Sequence, residues 1–206
     1  MTSDATAKSL SFNSARFLTS ASVLEECPAD HGAEVAFAGR SNAGKSSAIN
    51  TITTNGKLAR TSKTPGRTRL INFFSLNRDH CRLVDLPGYG YARVSRDLKD
   101  DWQKHLGHYL NDRRSLRGLV LVIDIRHPLT DFDQMMVEWC DHNKLPLMIL
   151  CTKADKLKFG QAKTAMLGIA RKLEAVECLE HLVMFSATSK QGLDETREAL
   201  AGWFEE

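Results

Sequence analysis

A short apolar run passes into a glycine-rich turn in Glu34-Val-Ala-Phe-Ala-Gly-Arg-Ser-Asn-Ala-Gly-Lys-Ser-Ser47. The pattern Gly-x4-Gly-Lys-Ser, between a predicted strand and a predicted helix, is that of a P-loop. Its glycines let backbone N–H groups approach phosphate oxygens, and the helix N-terminus adds partial positive charge. Lys45 is placed to reach the β- and γ-phosphates, and the Ser46 hydroxyl is placed to bind Mg²⁺. An ordinary turn before a helix is the alternative, but this pattern arises by chance in roughly one percent of such chains.

Composition limits the class of protein. The 206 residues, with a net charge of +3, suit one α/β domain with short extensions. The five cysteines are scattered, without Cys-x-x-Cys or a zinc spacing, which favours reduced thiols in a cytosolic protein. No apolar run approaches transmembrane length, and the residues after Met1 lack an apolar signal core. We therefore expect a cytoplasmic protein without a membrane segment.

A long polar loop, residues 55–69, follows the P-loop helix and contains Thr64-Pro-Gly-Arg-Thr68. Polar loops of this length are usually functional or disordered. In a GTPase this is the place of switch I, where a threonine binds Mg²⁺ through its hydroxyl and the γ-phosphate through its backbone N–H. Such a loop is ordered by the triphosphate and relaxes after hydrolysis. Thr64 and Thr68 both qualify, and Thr68 is preferred because it lies next to the following strand.

Two strands, Leu70 to Leu76 and Cys81 to Val84, are predicted to form a hairpin that ends in Asp85-Leu-Pro-Gly88. Asp-x-x-Gly alone is a common turn, but here it follows a P-loop and a threonine loop. We expect Asp85 to hold Mg²⁺ through water and the Gly88 N–H to contact the γ-phosphate. Ras-type enzymes place a water-orienting glutamine after this glycine, whereas this chain has Tyr89. Intrinsic hydrolysis is therefore expected to be slow.

Two later loops are predicted to read the base. An apolar strand ends in Thr152-Lys-Ala-Asp155, which is similar to the guanine-reading Asn-Lys-x-Asp. An aspartate accepts hydrogen bonds from guanine N1–H and N2–H₂, an edge that adenine lacks, and Lys153 lays its aliphatic stem along the base. Thr152 replaces the asparagine, so one polar tether is weaker or different. Ser186-Ala-Thr188 matches the loop whose backbone N–H contacts guanine O6.

Five ordered motifs from Gly39 to Ala187 resemble the translation-factor class of P-loop GTPases. The sequences of five motifs are similar to those of the EngB family (YihA/YsxC type). They are the P-loop, Thr-Pro-Gly-Arg-Thr, Leu-Val-Asp-Leu-Pro-Gly-Tyr-Gly-Tyr-Ala, Asp-Ile-Arg-His-Pro-Leu and Thr-Lys-Ala-Asp. The likeness implies a Ras-like three-layer α/β fold with a six-stranded, mostly parallel sheet. The strand at 70–76 is expected to be its one antiparallel edge strand. Residues 1–22 are predicted to be a partly mobile N-terminal arm, and residues 23–206 an EngB-type GTP-binding (G) domain.

The resemblance also implies a function. The protein is expected to be a monomeric, slow GTPase that acts as a nucleotide switch in assembly of the large ribosomal subunit, required for normal cell division, septation and growth. Its expected partners are the precursor of that subunit and rRNA, not DNA or a membrane. A basic stretch from residue 57 to residue 82, in which Asp79 is the only acidic residue, supports contact with RNA. Its basic residues are Lys57, Arg60, Lys63, Arg67, Arg69, Arg78 and Arg82. A solvated surface is the alternative, but the placement on a moving loop favours rRNA.

Two other functions are considered. A metabolic P-loop ATPase or kinase is disfavoured by Thr-Lys-Ala-Asp. A potassium-activated GTPase acting on tRNA or another RNA-modification partner is disfavoured because no catalytic or partner domain is recognised. Asn42 lies where potassium-activated GTPases of this class carry an asparagine. Either its carbonyl helps to hold K⁺ beside the phosphates, offsetting charge in the transition state, or Asn42 only tightens the turn.

The predicted site is therefore extensive. Catalytic roles are assigned to Lys45, Thr68, Gly88 and Asn42, and Mg²⁺ binding to Ser46, Thr68 and Asp85. The residues predicted to bind GTP or GDP are Gly39, Arg40, Ser41, Asn42, Ala43, Gly44, Lys45, Ser46, Gly66, Arg67, Thr68, Arg69, Leu70, Asp85, Leu86, Pro87, Gly88, Thr152, Lys153, Ala154, Asp155, Phe185, Ser186 and Ala187.

Overall fold

The structure, a computed structural model, describes residues 9–59, 70–89 and 106–205. Its strands are β1 (Arg16–Ala21), β2 (Ala33–Gly39), β3 (Ile71–Ser75), β4 (Cys81–Asp85), β5 (Leu116–Asp124), β6 (Leu147–Thr152) and β7 (Leu179–Met184). The helices in the described ranges are α1 (Lys45–Ile52), α2 (residues 106–112), α3 (Asp131–Asn143), α4 (Phe159–Lys172) and α5 (Leu193–Trp203).

The described strands form one sheet of seven strands in the order β1-β3-β4-β2-β5-β6-β7. Strands β4, β2, β5, β6 and β7 are parallel, and β3 runs antiparallel to both β4 and β1. The predicted mixed, mostly parallel sheet is confirmed. The prediction of six strands with β3 at the edge is wrong, because β1 covers β3 and places Ala21 opposite Ile71.

Strand β1 lies within residues 1–22, the predicted arm. Its residues Arg16, Phe17 and Leu18 are exposed, and the pairing slips between Phe17 and Thr19. Alternation of apolar and polar residues is consequently weak in this strand. Hydrogen bonds to β3, rather than burial of apolar side chains, hold the strand in place. Part of the predicted arm thus belongs to the sheet, whereas residues 1–8 lie outside the described residues.

Helices cover both faces of the sheet, which confirms the three-layer fold. Val35 and Phe37 of β2 pack with Ile49 of α1 and with α5. The intervening Ala36 and Ala38 face the other way and pack with residues of α2, α3 and α4. This alternation with a period of two is what a strand buried on both faces requires. No helix in the described ranges is both long enough and apolar enough to cross a membrane.

Helices α3 and α4 begin differently. Thr130 is the N-cap of α3, and its N–H and hydroxyl donate to Asp133 at 2.9 and 2.7 Å. Helix α4 begins at Phe159 and ends at Lys172. The first turn of α4 contains the exposed Phe159 and Gly160, so apolar periodicity does not reveal it.

A buried charge cluster lies at the amino end of β2 and was not anticipated. Glu34 is 0% exposed and accepts hydrogen bonds from Arg82 Nε at 2.7 Å, Arg113 Nε and Nη2 at 2.9 and 2.7 Å, and the Tyr109 hydroxyl at 3.0 Å. Arg82 is 4% exposed, so its inclusion in the predicted basic surface is wrong. Its guanidinium is neutralised inside the domain, where it joins β4 to β2.

Candidate nucleotide-binding site

The P-loop occupies the turn between the end of β2 and the start of α1. Asn42 and Gly44 have left-handed backbones with φ of 65° and 102°. At Gly44 a side chain would also meet Thr152, because an added Cβ would lie 3.2 Å from the Thr152 hydroxyl oxygen. The turn aims the N-terminus of α1 into the loop, where unpaired N–H groups and the helix dipole favour an anion.

Lys45 and Asp85 meet at the carboxyl ends of β2 and β4. The Lys45 ammonium contacts an Asp85 carboxylate oxygen, and both side chains are at most 10% exposed. Ser46 follows Lys45 in the first turn of α1. Hydroxyl and carboxylate oxygens suit Mg²⁺, a hard cation that retains waters and takes phosphate ligands. The donor set at this end of the sheet therefore fits the predicted magnesium ion, with Ser46 and Asp85 as ligands or holders of its water.

The Asp-x-x-Gly loop lies directly against the P-loop. The Leu86 N–H donates to the Phe37 carbonyl at 3.0 Å, and the Ser41 N–H donates to the Tyr89 carbonyl at 2.8 Å. A Cβ added to Gly88 would lie 3.1 Å from the Ser41 hydroxyl oxygen, so this approach favours glycine. The backbone of Gly88 is thereby placed beside the loop that is predicted to hold the phosphates.

Two residues join the guanine-reading loop to the P-loop. The Thr152 hydroxyl contacts the Ala43 carbonyl and lies 3.0 Å from the Ile123 carbonyl. The Lys153 ammonium lies 2.5 Å from the Asn42 carbonyl and 3.0 Å from Asp124. Thr152 thus supplies a different polar tether from that of an asparagine, with its short hydroxyl directed to the phosphate loop.

The third connection joins the two guanine loops to each other. The Ser186 hydroxyl donates to Asp155 at 2.7 Å, and the Ser189 N–H donates to the same hydroxyl oxygen at 3.1 Å. The hydrogen bond from Ser186 lowers the pKa of Asp155 against a smaller opposing effect of burial. Asp155 therefore stays ionised near neutral pH and keeps the acceptors that guanine N1–H and N2–H₂ require.

The structure brings the predicted phosphate and guanine residues to one edge of the sheet. Four predicted residues, Gly66, Arg67, Thr68 and Arg69, lie outside the described residues, as does the alternative Thr64. Leu70 is described and is 40% exposed just before β3. The Leu86 side chain is 1% exposed in the core, which leaves its backbone as the part that faces the site.

Two supporting residues were missed. Asn50 of α1 donates to the carbonyls of Gly56 and Ala59 and accepts from the Ala59 N–H at 2.7 Å, which fixes the start of the switch I region. Burial opposes ionisation of Asp124, but hydrogen bonds from Arg126 and Lys153 outweigh it and lower the pKa of this carboxyl. A carboxylate after an apolar strand could have revealed Asp124; Asn50, a weak helix former inside a helix, was a fainter indication.

A P-loop, an Asp-x-x-Gly loop and two loops predicted to read guanine, on a mostly parallel sheet, define a GTP-binding P-loop GTPase. The class predicted from the motifs is confirmed. The chain belongs to the family of 50S ribosome-binding GTPases, which matches residues 34–153.

Solved structures share the fold over most of the chain. A probable GTP-binding protein EngB is 22% identical, with a TM-score of 0.67 over 84% of this chain and 99% of the EngB chain. Era, in complex with MgGDPNP and a fragment of 16S ribosomal RNA, is 21% identical, with a TM-score of 0.63 over 84% of this chain and 57% of Era. The G domain of the T. maritima FeoB iron transporter is 23% identical, with a TM-score of 0.53 over 84% of this chain and 99% of that domain. At these identities the likeness establishes a shared fold.

Proposed function

We propose that this protein is an EngB-type switch that binds GTP with Mg²⁺, hydrolyses it slowly to GDP, and acts in assembly of the large ribosomal subunit. The observation that carries guanine recognition is the pairing of Asp155 with Ser186, because it holds an ionised acceptor in the loop that Thr152 and Lys153 tie to the P-loop. A site built in this way rejects a base that lacks the matching donors.

The chain's own residues define the steps of phosphate chemistry. Lys45 would neutralise the β- and γ-phosphates, while Ser46 and Asp85 would hold Mg²⁺, which supplies further positive charge to the phosphates when bound. The Gly88 N–H would contact the γ-phosphate, and Thr68 is proposed to complete the site from switch I. The Tyr89 side chain is 3% exposed and packed in the core. Tyrosine has no amide that could orient a water, and this side chain is directed into the core rather than toward the phosphates. Unassisted hydrolysis is therefore expected to be slow.

The role of Asn42 keeps two alternatives. Its left-handed backbone, with φ of 65°, supports a part in tightening the turn. Its backbone carbonyl also accepts a hydrogen bond from the Lys153 ammonium, so this oxygen is already bound within the protein. An additional cation would then rely on the exposed side chain. A comparison of turnover in K⁺ and Na⁺ decides between these roles.

Ribosomal partners are proposed from the family and from charge. Lys57 is exposed in the described start of the switch I loop, and Arg78 lies half-buried in the hairpin between β3 and β4. The other basic residues of the stretch, at positions 60–69, lie outside the described residues. Era, which shares the fold, is seen with a ribosomal RNA fragment. These observations support contact with rRNA on a large-subunit precursor and, through it, an effect on growth and cell division in the cytoplasm.

Sedimentation with ribosomal particles tests the proposal. The wild-type protein should co-sediment with large-subunit precursors more strongly with a non-hydrolysable GTP analogue than with GDP. Charge reversal at Arg67 or Arg69 should weaken binding and flatten its salt dependence, because each phosphate contact releases counterions. Arg171→Glu, on the exposed surface of α4, is the control for net charge. GTP affinity must be measured for each variant.

The outcomes separate the candidate functions. Equal particle binding by wild type, both reversals and the control would contradict rRNA contact through switch I. Binding to tRNA, with no affinity for ribosomal particles, would favour the potassium-activated GTPase that acts on an RNA-modification partner. Competition by ATP as strong as that by GTP would overturn guanine recognition itself.

A further inference from the structure

Tyr89 is held from its side chain as well as from its backbone. Its ring stacks on Phe132 with centroids 4.6 Å apart and planes 19° apart. Its hydroxyl donates to an Asp133 carboxylate oxygen, Oδ1, at 2.6 Å. Both partners belong to the first turn of α3, so the residue after Gly88 is anchored to a helix that does not itself contribute to the predicted nucleotide site.

Asp133 divides its two oxygens between two tasks. Oδ2 accepts from the N–H and hydroxyl of Thr130 and so caps α3, whereas Oδ1 accepts from Tyr89. Burial, together with the negative charge of Asp133, raises the pKa of Tyr89 far above its usual value. The phenol therefore stays protonated and continues to donate. Asp133 is 2% exposed, so this hydrogen bond is shielded from water.

The backbone of Tyr89 is fixed on the opposite side. Its carbonyl accepts from the Ser41 N–H at 2.8 Å, and its own N–H lies 3.4 Å from the Gly39 carbonyl. Gly88, the residue predicted to contact the γ-phosphate, is thus placed between the P-loop and an anchored neighbour. A shift of Tyr89 toward or away from α3 would move the Gly88 peptide with it.

We propose that Tyr89 is a positioning residue, whose hydrogen bond to Asp133 and stacking on Phe132 hold the Gly88 N–H where it detects the γ-phosphate. This inference rests on the proposed GTPase function. It explains the tyrosine in terms of discrimination between GTP and GDP rather than orientation of water. GDP lacks the γ-phosphate, so its affinity should be independent of the anchor.

The test compares Tyr89→Phe with Thr130→Val. Tyr89→Phe keeps the ring and removes the donor to Asp133, while Thr130→Val removes a different hydrogen bond to the same carboxylate. Affinities for GDP and for a non-hydrolysable GTP analogue, both with Mg²⁺, are measured by fluorescence titration. In Tyr89→Phe the ratio of analogue to GDP affinity should fall about three- to tenfold, the effect of one lost hydrogen bond. In Thr130→Val the ratio should not change, even if thermal stability falls.

A double variant isolates the contact. If Tyr89 acts through Asp133, Tyr89→Phe combined with Asp133→Asn should lower the ratio no further than Asp133→Asn alone. An unchanged ratio in Tyr89→Phe, or an equal fall in Thr130→Val, would overturn the positioning role while leaving guanine binding intact. Failure of the wild-type protein to prefer guanine nucleotides over ATP would instead refute the proposed function on which this inference depends.

Discussion

Replacing Glu34 with glutamine should strongly destabilise the domain without changing its nucleotide site. Glutamine has almost the same size, but it loses the charge and presents an NH₂ group to side chains that only donate. Three of the four hydrogen bonds to Glu34 come from the guanidinium groups of Arg82 and Arg113 and the fourth comes from the Tyr109 hydroxyl, all between 2.7 and 3.0 Å. Since Glu34 is 0% exposed, water cannot replace the lost acceptor.

The expected loss in the free energy of unfolding depends on the hydrogen-bond and ion-pair partners that each arginine keeps in the variant. Removing one partner of a buried ion pair costs about 3–5 kcal/mol. Arg82 also donates to the carbonyls of Ala29 and His31, and Arg113 lies 3.7 Å from Asp30, so we expect the lower end of this range. In a domain of this size 1 kcal/mol corresponds to about 2–4 °C in Tm, which gives a decrease of roughly 6–12 °C.

Urea and thermal unfolding of Glu34→Gln provide the measurement, with GDP affinity determined in parallel. Asp112→Asn is the matched control, because Asp112 pairs with His108 at 3.2 Å on the surface and both side chains are more than half exposed. The control should lie within roughly 0.5 kcal/mol of wild type. A loss of less than about 1 kcal/mol in Glu34→Gln would refute the argument from burial. GDP affinity should be unchanged, because Glu34 and Gly39 lie about 16 Å apart along β2 at the strand rise.

Further measurements test the site and the pH dependence. Asp155→Asn should lose GDP affinity and gain affinity for xanthine nucleotides in competition assays, and unchanged GDP binding would contradict the guanine assignment. Turnover of GTP without partners should be at or below the ~10⁻⁴ s⁻¹ scale of unassisted Ras; fast turnover would contradict the argument from Tyr89. If K⁺ is used, turnover should be faster in K⁺ than in Na⁺ and Asn42→Ala should remove the difference, whereas equal rates in all conditions, ribosomal particles included, would exclude K⁺. Because the pKa of Asp124 is lowered by folding, its stabilisation is present above about pH 4 and is lost as pH falls through the folded pKa. Asp124→Asn should therefore destabilise the protein most at neutral pH, and the loss should become smaller as pH is lowered below about 4. An equal loss across this range would contradict the shift.

The nucleotide loops could be predicted from sequence because phosphate, magnesium and guanine each require particular residue types in a fixed order. Strand β1 could not be predicted, since Phe17 and Leu18 remain exposed and only pairing with β3 defines it. The partner of Tyr89 was equally hidden, because Asp133 is 44 residues away and its polar character suits an ordinary helix start. Glu34 resembled a surface residue at a strand end until its arginine partners were seen. The predicted features follow from local sequence patterns, whereas the missed features depend on contacts between residues that are distant along the chain.

The pairing of Asp155 with Ser186 has a consequence for the protein while it is being made. The P-loop motif ends at Ser46, but the pair proposed to read the base requires a residue 140 positions later, at Ser186. At translation rates of 5–20 residues per second, this interval is roughly 7–28 s. During that time the chain carries the residues of the P-loop motif but lacks one member of the pair that we propose for guanine selection. On that proposal, specificity for the base is among the last properties that the nascent chain acquires.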